Sequence, residues 1–197
     1  MQSFRVTIDG YFIGMITLKT EGHLETMENT VIKETFSLKV KSQNFKKYQV
    51  APFAEIWECP ETGEKSLRSC VKFNPGDTIA TFGIKARVKE PNYLSVQIDD
   101  TEHILLDPEF LQYINHSCLP NVFFDTTNMV VTCLNKIDIG EAMTFFYPST
   151  EWSMAQGFDC LCGSEQCLGK IQGAVYLSPD ILKNYRLSEH IINKIMK

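Results

Sequence analysis

The amino-acid sequence predicts an α+β fold that is mostly β. Apolar and polar residues alternate with a period of two in many short segments, a pattern typical of half-buried strands. Helical periodicity is confined to residues 108–114 and the C-terminal tail, so helices are few. With 197 residues, 44% of them apolar, the chain is long enough for one domain of ordinary size.

The first 57 residues are predicted to contain about four short strands. Their alternation is clearest at 4–20 and 35–50. No group of catalytic or metal-binding side chains appears among them, so we expect a structural or interaction role. The turn-forming residues CPETGEK at 59–65 mark a break after this region.

Short strands and turns continue to residue 150. The turn FNPGD at 73–77 has proline followed by glycine. The short helix at 108–114 begins with Pro108. The heptapeptide NHSCLPN at 115–121 interrupts that helix. The remaining segments are strand candidates, at 78–82, 93–98, 122–125, 129–135 and 142–148.

The last part of the chain is predicted to contain a loop followed by a helical tail. Residues 156–173 contain four glycines and are predicted to form a loop. The tail that follows is predicted to be helical, with Ser178 at the N-cap and Pro179 in the first turn.

Cysteine usage indicates a reducing compartment. The chain has seven cysteines, an odd number, and three of them lie within eight residues. The N-terminus shows no secretory signal pattern, and the longest apolar run, at 142–147, is too short to span a bilayer. We therefore expect an intracellular protein, in the nucleus or cytoplasm, that uses cysteines for metal ligation.

Charge is distributed unevenly. Residues 1–50 carry seven Lys/Arg and five Asp/Glu, whereas residues 51–197 carry twelve and nineteen. An acidic surface argues against direct nucleic-acid binding, which needs basic residues. It suits a cationic peptide, although such an imbalance also serves solubility alone.

The strongest local motif is FDCLCGSEQCLGK. Cys160, Cys162 and Cys167 form C-x-C-x4-C, a spacing that lets one zinc ion collect three thiolates. The alternative is three free cysteines in a loop. Tetrahedral zinc needs a fourth ligand. Cys118 is modestly favoured because it lies in a polar loop, whereas Cys70 and Cys133 have apolar, strand-like surroundings, and His116 is also possible.

Three motifs in order carry a family resemblance. NHSCLPN at 115–121, GEAMTFFY at 140–147 and C-x-C-x4-C at 160–167 together resemble the catalytic core and post-SET segment of SET-domain lysine methyltransferases. The resemblance covers roughly residues 60–173. It implies small curved sheets, a knot-like threaded segment and a post-SET zinc loop.

The resemblance also implies a division of the chain. Residues 1–57 would be the β-rich N-terminal region and 58–150 the SET domain. Residues 151–175 would be the post-SET zinc segment and 176–197 the helical tail.

The site residues follow from the same resemblance. Asn115 and His116 would hold S-adenosylmethionine, and Cys118 would complete a structural zinc site with the three later cysteines. Tyr147 aligns with the catalytic tyrosine, and Tyr93 with a second channel tyrosine. The aromatic residues expected against the adenine or in the substrate channel, with core packing as the alternative, are Trp152 and Phe158.

The implied reaction is methyl transfer from S-adenosylmethionine to a lysine ε-amine of a protein, histone or non-histone. The amine must be neutral to attack, and a narrow aromatic channel favours the neutral form by desolvation. Neither a membrane nor nucleic acid is an expected partner.

The glycine-rich stretch of SET domains is degenerate here. Gly63 is retained, but Lys65 and Arg68 replace small residues, which places Lys65 at the cofactor. Two alternatives therefore stay open: a catalytically weak SET module acting as an interaction domain, and a SET-fold methyltransferase for a small amine.

Overall fold

The structure, a computed structural model, describes the backbone of residues 2–8 and 11–18 and the whole of residues 44–197. The strand pattern predicted at 35–43 lies outside the described residues. Within them strands dominate and helices are few and short, which confirms the predicted mostly-β fold. No helix in these ranges has the length and apolar character needed to cross a bilayer.

Fifteen strands occur in the described part of the chain, and most have five residues or fewer. They are β1 (Gln2–Ile8), β2 (Tyr11–Leu18), β3 (Lys46–Ala51), β4 (Ala54–Glu58), β5 (Lys65–Ser69), β6 (Thr78–Thr81), β7 (Gly83–Val88), β8 (Val96–Gln97), β9 (His103–Asp107), β10 (Asn115–His116), β11 (Val122–Asp125), β12 (Val130–Cys133), β13 (Thr144–Phe145), β14 (Phe158–Asp159) and β15 (Lys170–Ile171).

These strands form small sheets of two or three strands. The three-stranded sheets have the orders β3-β4-β5, β11-β12-β6 and β7-β9-β8. β1 pairs with β2, and β14 pairs with β15, both antiparallel. β10 and β13 form a parallel pair, which brings the heptapeptide at 115–121 beside the segment that ends at Tyr147.

One apolar core joins the three-stranded sheets and β13. Phe124 of β11 is fully buried, and its ring centre lies 5.6 Å from that of Phe82 and 4.6 Å from that of Phe145. Leu67 of β5 and Ile104 of β9 are buried in the same cluster. Each such side chain contributes about 1.5–3 kcal/mol on burial, so packing holds the separate sheets together.

The predicted local structures are present with differences. The turn at 73–77 forms, with Gly76 at φ 94°. The segment at 108–114 contains a 3-10 helix, Glu109–Tyr113, and Pro108 precedes it at the N-cap.

The C-terminal tail contains two helices, α1 (Pro179–Leu182) and α2 (Glu189–Ile195). Ser178 occupies the N-cap of α1, although its side chain makes no capping hydrogen bond. Ser188 precedes α2, and its backbone N–H donates to the carbonyl of Ser149, 2.9 Å away. This tertiary contact accompanies an interruption of the predicted helix at 183–188.

Candidate active site and cysteine cluster

Asn121 fixes the heptapeptide against the strand that leads to Tyr147. Its Oδ1 accepts from the backbone N–H of Thr144 at 2.8 Å, and its Nδ2 donates to the carbonyl of Ala142 at 2.8 Å. One side-chain amide thus replaces a backbone partner for two residues. We did not predict this role. The second asparagine of NHSCLPN, Asn121, was the residue in the sequence that could have indicated it.

Asn115 and His116 form β10, in register with Thr144 and Phe145 of β13. The Asn115 side chain donates from Nδ2 to the carbonyl of Lys65, 2.8 Å away. That bond links β10 to the start of β5, which is the degenerate glycine-rich stretch. Three segments far apart in the sequence therefore meet at Asn115.

His116 connects two parts of the site through its two ring nitrogens. Nδ1 accepts from the backbone N–H of Tyr147 at 3.3 Å, and Nε2 lies 3.4 Å from the sulfur of Cys118. Burial lowers the pKa of His116 to about 4. The imidazole is therefore neutral at physiological pH, with its proton on Nε2.

Tyr147 follows β13 and begins a 3-10 helix, Tyr147–Ser149. Its ring centre lies 5.3 Å from that of His116 and 5.9 Å from that of Phe158, both edge-on. Burial, assisted by the carboxylate of Glu151, raises the pKa of the Tyr147 phenol. The phenol therefore stays protonated and can both donate and accept a hydrogen bond.

A cleft of about 1020 Å³ collects most of the predicted site residues. Those that line it are Lys65, Tyr93, Asn115, His116, Tyr147 and Phe158, together with Cys160 and Cys162 of the expected zinc site. Tyr93 is 83% exposed. It belongs to a turn in which the Asn92 side chain accepts from the backbone N–H of Leu94, so only Val96–Gln97 of the predicted strand at 93–98 forms a strand.

The two bulky residues of the glycine-rich stretch lie differently. Lys65 lines the cleft, and its Nζ is 3.6 Å from a carboxylate oxygen of Glu58. Arg68 is buried away from the cleft lining: its guanidinium lies 4.2 Å from the ring centre of Trp57 and donates to the carbonyl of Gly140 at 2.6 Å. Arg68 therefore does not obstruct the cleft.

Trp152 does not line the cleft. It packs against a second apolar cluster that includes Phe146, Leu182 and Ile191. The ammonium of Lys194 lies 5.5 Å from its ring centre. Trp152 is thus partly buried against this cluster, a packing role that was the alternative to cofactor binding.

Glu151 is a cleft residue that our sequence reading missed. It is buried, and its Oε1 accepts from the backbone N–H of Gln97 at 2.8 Å. Its Oε2 lies 3.3 Å from Nε2 of His103. Nothing in the local sequence distinguishes Glu151 from a surface acid, because its partners come from β8 and β9.

Four cysteines converge beside the cleft. The sulfur atoms of Cys118, Cys160, Cys162 and Cys167, here called the four-cysteine cluster, all lie within 4.8 Å of one another. The sulfurs of Cys118 and Cys160 are 3.8 Å apart. Tetrahedral zinc with Zn–S bonds of about 2.3 Å separates its sulfurs by roughly 3.8 Å, so the cluster fits such an ion.

The local electrostatics favour ionisation of the thiols unequally. Burial raises the pKa of the Cys118 thiol to about 11 and also raises that of Cys160. At Cys162 burial acts in the same direction, but hydrogen bonds to its sulfur from backbone N–H groups and neighbouring thiols together lower its pKa to about 7. The backbone N–H of Leu168 donates to the sulfur of Cys118 at 3.4 Å. Thiols must lose their protons to bind a metal, and such donors stabilise the thiolate.

Comparisons with known proteins agree with this geometry. A family model of the SET domain matches residues 15–148. Methyltransferase flvH of Aspergillus flavus is 38% identical over 128 residues, which are 64% of this chain and 71% of flvH. Histone-lysine N-methyltransferase ash1 of Drosophila melanogaster is 22% identical over 203 aligned residues, 87% of this chain but 9% of ash1.

The two strongest of these likenesses establish the family. The SET-domain model extends over more than half of the chain, and it includes the heptapeptide and Tyr147. The likeness to flvH extends over most of flvH's own length. The chain therefore belongs to the SET-domain family of methyltransferases.

Proposed function

We propose that this chain transfers a methyl group from S-adenosylmethionine to the ε-amine of a lysine in a protein. The observation that carries the proposal is the meeting of Asn115, His116 and Tyr147 in one cleft. The name of ash1 as a histone-lysine N-methyltransferase supports lysine in a protein, histone or non-histone, as the acceptor.

The cleft suits the cofactor in size and charge. Its volume of about 1020 Å³ lies at the upper end for small-molecule sites, which leaves room for a cofactor and a side chain. S-adenosylmethionine supplies an activated methyl group on a cationic sulfur. The neutral imidazole of His116 does not repel such a cation. Asn115, Lys65 and Phe158 line the cleft and would contact the cofactor.

Aromatic side chains that line the cleft would favour the neutral, reactive form of the lysine amine. A free lysine amine has a pKa of ~10.4 and must lose its proton before it attacks. The rings of Phe145, Tyr147 and Phe158 exclude water from part of the cleft, which disfavours the ammonium. The Tyr147 phenol would orient the amine, and alignment of the reacting atoms is able to supply about 7–11 kcal/mol. Tyr93 would guide the side chain at the mouth.

The four-cysteine cluster would hold a structural zinc ion. Four thiolates complete a tetrahedral shell, so no open position remains for catalysis. The ion would tie Cys118, next to the cofactor residues, to the post-SET segment that carries Phe158. It would thereby keep residues 151–175 over the cleft.

A labelling assay tests the proposal. The protein is incubated with tritiated S-adenosylmethionine and either mixed histones, lysine peptides or a set of small amines, with Tyr147→Phe as the matched control. Label in protein that Tyr147→Phe strongly reduces is the expected result. Label only in small amines would favour a SET-fold methyltransferase for a small amine. The name of flvH leaves that function open because it specifies no protein substrate.

Calorimetry tests the alternative that the chain is a catalytically weak interaction module. We expect S-adenosylmethionine to bind with measurable heat. Absence of binding would count against methyl transfer and favour an interaction module built on the same fold.

A further inference from the structure

The C-terminal part of the chain holds the backbone that follows Tyr147. Four consecutive carbonyls, those of residues 149–152, accept hydrogen bonds from residues 174–190. The pairs are Ser149 with the Ser188 N–H (2.9 Å) and Oγ (2.8 Å), Thr150 with His190 Nε2 (2.7 Å), Glu151 with the Ala174 N–H (2.8 Å) and Trp152 with the Val175 N–H (3.0 Å).

Aromatic stacking forms a second contact between the C-terminal part of the chain and the residues around Tyr147. The ring of Tyr185 stacks on that of Phe146, with centres 3.6 Å apart and planes 7° from parallel. The Phe146 ring lies 5.9 Å from that of His116, which contacts Tyr147. The Tyr185 hydroxyl donates to the carbonyl of Cys118 at 3.0 Å. One tail residue thus touches both the Tyr147 segment and the heptapeptide.

Burial makes this contact a fixed part of the fold. Phe146, Ala174, Leu182 and Ile191 form one buried cluster. At Gly173 the chain passes so close to residues 152 and 153 that an added Cβ would lie 2.6 Å from the Trp152 carbonyl oxygen. The tail therefore has one docked position, set by packing and by close backbone contact.

We propose that the C-terminal segment, residues 173–191, is a positioning element for Tyr147, and that Tyr185 is a positioning residue that acts through Phe146. The proposal rests on the assigned role of Tyr147. Tyr185 does not line the cleft, so it reaches the reacting atoms only through its neighbours. A misplacement of about 1 Å at a reacting group can cost on the order of a hundredfold in rate.

Steady-state kinetics with a lysine-bearing protein substrate test the stacking contact. Tyr185→Leu removes the ring, Tyr185→Phe keeps it, and Tyr48→Leu changes an exposed tyrosine of β3, outside the C-terminal segment and the cleft lining. We expect Tyr185→Leu to lower kcat about tenfold or more, with KM for the protein substrate changed less than about threefold. Tyr185→Phe should retain most of kcat, and Tyr48→Leu should behave like the wild type.

Hydrogen exchange gives a readout that needs no activity. Amides of residues 147–151 should exchange faster in Tyr185→Leu, while those of β9 keep their wild-type rates. If Tyr185→Leu does not fold, Ser188→Ala, which removes one donor to Ser149, should show the same local change.

Two results would overturn the proposal: wild-type kcat in folded Tyr185→Leu, or unchanged exchange at 147–151 in whichever variant folds. Equal losses of kcat in Tyr185→Leu and Tyr185→Phe would overturn the role of the ring. If the wild type methylates nothing, the proposed function fails, and the exchange rates alone decide the role of the C-terminal segment.

Discussion

At the scale of single residues, His116 organises the site. Its ring contacts Phe146, Tyr147 and Phe158, and its two nitrogens face a backbone N–H and a cysteine sulfur. Both nitrogens are therefore engaged, which selects one tautomer and one ring orientation. A single imidazole thus couples the four-cysteine cluster to the residue proposed to orient the lysine.

Tyr147→Phe should lower turnover and leave cofactor affinity almost unchanged. The substitution removes one oxygen and keeps the ring between His116 and Phe158, so the cleft retains its walls. Loss of one preorganised donor typically costs about a hundredfold in kcat. Measured kcat and calorimetric affinity for S-adenosylmethionine check this, with exposed Tyr48→Phe as control. Wild-type kcat in Tyr147→Phe would remove the tyrosine from the mechanism.

At the scale of elements, residues 158–171 form a short hairpin that carries three of the four cysteines of the cluster. β14 and β15 pair Phe158 with Ile171 and Asp159 with Lys170. Two-residue strands contribute little stability alone. The buried Cys118, Cys160 and Ile171 supply the packing that these strands lack. The hairpin therefore depends on the four-cysteine cluster for its shape.

Cys162→Ser should abolish zinc binding at the four-cysteine cluster and expose residues 157–170. A serine hydroxyl is a poor substitute for a thiolate ligand, and an incomplete shell binds zinc weakly. We expect loss of bound zinc by elemental analysis and faster proteolysis between residues 157 and 170. Cys70→Ser, outside the cluster, is the control. Retention of stoichiometric zinc in Cys162→Ser would refute the ligand assignment.

Gly173→Ala should destabilise the protein more than Gly169→Ala. Both glycines have positive φ, 121° and 75°, so both substitutions carry backbone strain of about 1–3 kcal/mol. Only at Gly173 would the new Cβ also collide with the backbone of residues 152 and 153, whereas Gly169 has open space around it. Chemical denaturation of the two variants measures the difference. Equal free energies of unfolding would mean that the backbone of residues 152 and 153 moves to accommodate the new Cβ without loss of stability.

At the scale of the whole molecule, two apolar clusters share the strand that leads into Tyr147. Phe145 packs into the core formed by the sheets, and Phe146 packs into the cluster formed with the C-terminal segment. Successive strand residues point to opposite sides, which explains this division. Tyr147 is therefore held between the main core and the docked tail.

The docking of the tail should weaken in acid. Burial, opposed by the Thr150 carbonyl and the Glu151 carboxylate and assisted by Lys194, lowers the pKa of His190 below its ordinary value of 6.5; Asp100 also opposes the shift. The unfolded chain then binds a proton that the folded chain does not. Stability from this residue is present above pH ~6.5 and is lost as the pH falls toward the lowered pKa.

The measurement is thermal unfolding of the wild type and His190→Gln between pH 7.5 and 5.0. Glutamine keeps a donor for the Thr150 carbonyl and does not titrate. The wild type should lose more stability across this range than His190→Gln. Parallel pH profiles for the two proteins would show that the buried imidazole does not contribute.

The sequence by itself determined those features of the protein that depend on the order of neighbouring residues. Period-two alternation predicted a mostly-β fold, and three motifs in sequence predicted the family and the cysteines that converge. Alternation describes only which residues face inward, so it did not reveal that Arg68 turns to Trp57 while Lys65 faces the cleft. Helical periodicity in the tail likewise did not show the interruption at 183–188.

Tertiary structure decided the contacts made across long separations. Trp152 and Phe158 are both aromatic residues close to Tyr147 in sequence, yet one packs under the tail and the other lines the cleft. Glu151, Tyr185 and Ser188 acquire their roles from partners 39 or more residues away. Free energy from packing and buried hydrogen bonds depends on the complete fold, and no local pattern encodes it.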